Sequence, residues 1–71
     1  MSKGDFYFSV EKLEGGQLTT LLETGDPQEA IASCQAAMDA SATDARYWVE
    51  YNVVAFGGGD VYESMVFWPK S

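Results

Sequence analysis

The chain has 71 residues, with 11 Asp and Glu against 4 Lys and Arg, one Cys and no His, for a formal net charge of -7. That balance leaves no basic surface to neutralise phosphates, so direct nucleic-acid binding is not expected. Without His or a second Cys, the usual zinc, haem and His-dependent triad chemistries lose their ligand or base, and no metal or cofactor is expected.

A content of 46% hydrophobic and 14% aromatic residues is that of a folded domain rather than a disordered segment. The longest apolar run, Val53-Val54-Ala55-Phe56, is far short of the roughly 20 residues a spanning helix needs. The start, Met1 to Asp5, has no apolar stretch of the signal-peptide kind, so a cytoplasmic protein without membrane contact is expected. Residues 1–71 read as a single domain. A domain this small buries only about 60% of its unfolded surface, and such chains often complete their core on a partner.

Residues 5–14 alternate Phe6, Phe8 and Val10 with Tyr7, Ser9 and Glu11, the period of a strand with one buried face. Gly15-Gly16 supplies the positive φ angles of a two-residue hairpin turn, and residues 17–23 return as a Thr- and Leu-rich strand. Pairing Glu14 with Gln17 sets Val10 opposite Leu21 in the core and Ser9 opposite Leu22 on the other face.

Thr24-Gly25 ends that strand. Asp26-Pro27-Gln28-Glu29 offers a helix N-cap, proline at the first helical position and Glu three residues after the cap. Ala30, Ile31, Cys34, Ala37 and Met38 recur at helical spacing, a stripe of mostly small side chains that lets the helix lie close to a sheet. Cys34 on that stripe reads as core. The helix is expected to end near Ala40, where Ser41, Thr43 and Asp44 favour local side-chain bonds over further helix.

Residues 46–56, dense in Tyr, Trp and Val, predict a third strand. Gly57-Gly58-Gly59 turns the chain, and residues 60–68 predict the fourth strand, stopped by Pro69. Pairing Phe56 with Asp60 gathers Tyr47, Val49, Tyr51, Val53, Ala55, Val61, Met65 and Phe67 on one face, and Trp48, Val54, Phe56, Tyr62, Val66 and Trp68 on the other. The order ββαββ with a right-handed crossover predicts an α+β fold. It has one four-stranded antiparallel sheet of order 2-1-3-4 and a single helix on one face.

No constellation suits catalysis. Gly57-Gly58-Gly59 has neither a following Lys nor a helix start to hold an anion. A carboxylate pair such as Glu50 with Glu63 or Asp60 would need a concave sugar site that a chain of this size rarely builds. Cys34 lacks a neighbouring base. The sequence therefore predicts a protein that is not an enzyme.

Two features remain. Carboxylates interspersed with strand positions could steer a basic protein partner or stand in for nucleic-acid phosphates. The face opposite the core would also display Trp48, Tyr62 and Trp68 around Glu50, Asn52 and Ser64, with Glu63 beside them, a mixture typical of interaction surfaces. Trp48, Glu50, Asn52, Tyr62, Glu63 and Trp68 are thus the candidate partner-binding residues. A homodimer competes for the same role. Rival readings are a self-assembling homo-oligomeric structural protein and a carrier of a small ligand in an aromatic pocket between subunits.

In size, acidity, strand order and lack of catalytic groups, the chain resembles the small inhibitors that phages and mobile elements direct against host enzymes, anti-CRISPR proteins among them. That resemblance implies an inhibitor of a host macromolecule acting in the host cytoplasm, and it assigns no residue.

Overall fold

The computed structural model describes residues 4–55 and 61–69. Four strands and one helix follow in the order β1 (Gly4–Glu14), β2 (Gln17–Thr24), α1 (Pro27–Ala40), β3 (Arg46–Ala55) and β4 (Val61–Trp68). They form one antiparallel sheet ordered β2-β1-β3-β4 with the helix on one side. This is the ββαββ fold expected from the sequence. Phe56, Asp60 and the three-glycine turn lie outside the described residues.

The first hairpin turns on Gly15 and Gly16, at φ 60° and 80°, a backbone that side-chain-bearing residues resist. Glu14 pairs with Gln17 and Leu13 with Leu18, as expected, but the register shifts between Val10 and Glu11. Leu21 becomes the extra residue, so Leu22 opposes Val10 and Ser9 opposes Glu23. The pairings expected for Leu21 and Leu22 are corrected accordingly. Leu22 packs on the core while Leu21 is 45% exposed; the bulge exchanges which of the two adjacent leucines faces inward, leaving residues 17–20 in the expected register and turning over those that follow.

Helix α1 is capped as its sequence prescribes, with one change of partner. Asp26 accepts a hydrogen bond from the Gln28 N–H at 2.9 Å. Glu29 does not reach back to the cap: Thr24 Oγ1 accepts from the Asp26 N–H at 3.1 Å and donates to Glu29 Oε1 at 2.6 Å. The threonine hydroxyl thus relays the reciprocal bond a capping box makes directly. Asp26→Ala should cost about 0.5–2 kcal/mol, read as a lower urea midpoint at constant slope; an unchanged midpoint would remove the cap from the stability of the fold.

The core lies between α1 and the three strands it packs against, β1, β2 and β3. Phe8, Val10, Val49, Ala30 and Cys34 are buried, and Leu22, Ile31, Tyr47, Tyr51, Phe67 and Trp68 close around them. Ala30 and Cys34 are fully inaccessible, which is how the small stripe brings the helix onto the sheet. Burial raises the Cys34 pKa, as desolvation disfavours the thiolate.

In the second hairpin, Glu50↔Val66, Tyr51↔Met65, Asn52↔Ser64 and Val53↔Glu63 pair in the expected register. Shifts occur at both ends, between Val49 and Glu50 and between Val53 and Val54. At the first, Phe67 is inserted and Trp68 pairs with Val49. Two residues of a bulged strand then oppose one, and both Phe67 and Trp68 pack on the core. The expectation that Trp68 lies on the face opposite the core is corrected by this bulge.

Candidate functional site

The sheet face away from the helix is built in rows by the strand register. Tyr7, Asn52 and Ser64 form one row across β1, β3 and β4. Glu23, Ser9, Glu50 and Val66 form the next across all four strands. Thr20, Glu11 and Trp48 follow, then Leu18, Leu13 and Arg46. Strand pairing alone therefore brings three carboxylates, Glu11, Glu23 and Glu50, into two adjacent rows, with neighbouring strands about 4.8 Å apart.

Polar bonds fix this surface. Trp48 Nε1 donates to Glu50 Oε2 at 3.2 Å, and Thr20 Oγ1 donates to Glu11 Oε1 at 2.8 Å. Asn52 Nδ2 donates to Ser9 Oγ at 3.0 Å, and Asn52 Oδ1 accepts from Ser64 Oγ at 2.7 Å. Ser9, Glu11 and Asn52 are buried although they face away from the helix. No buried side-chain polar atom among the described residues lacks a partner.

The Tyr7 phenol reports the local field. Its pKa is raised above the ordinary 10.0, first by desolvation and then by the negative charges of Glu23, Glu11 and Glu50. A tyrosine resisting ionisation stays neutral in the folded chain, so its effect on stability is constant below pH 10 and turns unfavourable as pH rises through the raised pKa. Of the cations on the described residues, Lys12 is tied to Glu14 at 3.1 Å. Arg46 ends the open face, beside a shallow hollow lined with Leu13, Trp48, Val66 and Pro69.

The expected site residues divide between surfaces. Trp48, Glu50 and Asn52 share the open face, but the amide of Asn52 is spent on Ser9 and Ser64. Glu63 pairs with Val53 and is exposed on the helix side of the sheet, and Trp68 is on that side too. The side chain of Tyr62 lies outside the described residues. Tyr7, Glu11 and Glu23 were not singled out from the sequence. The alternation of β1 already carried the signal for Tyr7 and Glu11, since the order 2-1-3-4 puts them beside β3; Glu23 needed the bulge at Leu21.

Among the described residues no group of three or more His, Cys, Asp or Glu is placed to hold a metal ion, and no helix is long and apolar enough to cross a membrane. No protein-family model, no curated protein and no solved structure matches the chain.

Proposed function

We propose that the chain is a non-enzymatic protein-binding module that docks its open sheet face on a basic surface of a protein partner and blocks it. The observation that carries this reading is the Tyr7 phenol set among Glu11, Glu23 and Glu50 on the face the helix leaves bare. Carboxylates held on three adjacent strands attract a basic groove at long range. Trp48, oriented by its bond to Glu50, supplies the large amphipathic anchor that interfaces favour. An inhibitor of a host macromolecule, in the manner of phage anti-defence proteins and with carboxylates standing in for nucleic-acid phosphates, is the role this surface suits.

The test is capture of partners from a cell lysate by the tagged chain, side by side with the Glu23→Gln/Glu50→Gln double variant. A stoichiometric protein with a basic contact surface, retained by the parent chain and lost by the variant, is expected. Equal capture by both would overturn the electrostatic reading.

A further inference from the structure

The bulge near the end of β4 shapes the open face as well as the core. Because Phe67 and Trp68 both turn to the core, β4 places no side chain on the open face between Val66 and Pro69. The row of Trp48 therefore stops at β3. A hollow of about 360 Å³ lies beside it, lined by Leu13, Arg46, Tyr47, Trp48, Val66 and Pro69. Small-molecule clefts begin near this size, at about 300 Å³.

The lining combines apolar surface with one cation. Trp48 Nε1 donates to Glu50, which fixes the indole and leaves it only its ring to offer an occupant. Leu13, Val66 and Pro69 add hydrocarbon, and Val66 is 61% exposed. Arg46 is exposed, and no carboxylate among the described residues lies within ion-pair distance of its guanidinium. The carboxylates of neighbouring rows are engaged elsewhere: Glu11 accepts from Thr20 on β2, and Glu50 accepts from the indole. Glu14, which shares a second hollow with Arg46, is bound by Lys12. A guanidinium without a carboxylate, set at apolar walls, complements an anion carried on an apolar body.

We propose that this hollow binds a small planar aromatic carboxylate, its ring against Trp48, Leu13 and Val66 and its carboxylate on the Arg46 guanidinium. One guanidinium matches one negative charge. With a net charge of -7, the chain repels a phosphate or a dicarboxylate more strongly than a monoanion. The planar fork of Arg accommodates both oxygens of a carboxylate, and stacking on the indole favours a flat body over a branched aliphatic one. The site needs no protein partner, so it stands apart from the docking reading although both use Trp48.

Naphthoate is the probe, titrated into the purified, isotope-labelled chain and followed by NMR. Saturable shifts of the Leu13, Arg46, Trp48 and Val66 amides are expected, with a dissociation constant on the order of 1 mM or tighter. Arg46→Gln should weaken binding at least tenfold, because it removes a charge-assisted hydrogen bond. Naphthylmethanol and naphthylmethylamine keep the ring system without the negative charge, and each should bind the parent chain at least tenfold more weakly than naphthoate. These two analogues read the contribution of charge without any substitution, so the result does not depend on how Arg46→Gln folds. Absence of saturable shifts, shifts centred on other residues, equal affinity for the neutral or the cationic analogue, or parental affinity in a folded Arg46→Gln would overturn the proposal.

Discussion

Phe8→Ala is expected to leave the chain largely unfolded at room temperature. Phe8 is 5% exposed, and its ring lies 4.8 Å from Phe67, 5.4 Å from Tyr51 and 5.9 Å from Phe6. With Tyr51 and Phe67 it joins the helix-covered core to the aromatic corner beyond it. Removing a buried Phe side chain costs about 3–5 kcal/mol through lost transfer energy and the cavity left behind. A core in a domain of fewer than about 70–80 residues rarely supplies more than 3–5 kcal/mol in total. The two magnitudes are comparable, so the loss is close to all the stability available. Near- and far-ultraviolet circular dichroism with urea titration checks it; a cooperative transition at the parental midpoint would mean that the corner and the core are energetically separate.

Trp48→Ala carries the other large effect, on binding to whatever basic protein the open face captures. A Trp at the centre of an interface contributes about 2 kcal/mol or more on truncation, which is roughly 30-fold, and the change is expected chiefly as faster dissociation. Glu23→Gln and Glu50→Gln should act on association instead. Their effect should shrink as salt shortens the Debye length from about 10 Å at 0.1 M to about 3 Å at 1 M. Trp68→Ala, on the core side of the sheet, should lower stability and leave dissociation unchanged. Rate constants for the four variants at two salt concentrations test this division. Parental dissociation in Trp48→Ala would move the anchor off this face, and association insensitive to salt would remove the carboxylates from the encounter.

The elements and their order could be read from local chemistry. Gly15-Gly16, Asp26-Pro27 and the alternation of residues 5–14 each specify one backbone outcome, and the crossover rule then leaves few sheet orders. What escaped was register past the bulges. Leu21-Leu22 and Phe67-Trp68 are pairs of adjacent large apolar residues, and a period of two assigns one of each pair outward. The structure instead inserts a residue at each pair. At the second, both aromatics reach the core. At the first, the shift brings Glu23 onto the open face. The candidate site suffered from the same cause: its β3 members were legible, Trp68 was assigned to the wrong side, and Glu23 came into view only once the shift was known.

Asn52 has a consequence for how the strands find their alignment. Hydrophobic alternation penalises a slip of one residue, which turns a strand over, but a slip of two preserves every inward and outward position and so goes unpunished by that pattern. The bonds from Asn52 to Ser9 and Ser64 distinguish those otherwise equivalent alignments. Shifting β4 by two places Tyr62 or Val66 opposite the amide, and Val66 has no donor to offer its side-chain oxygen. With Asn52 only 3% exposed, an orphaned amide costs about 1–3 kcal/mol. The three polar side chains thus act as a tumbler lock through the middle of the sheet, keeping the two hairpins from trading one full-length pairing for its neighbour.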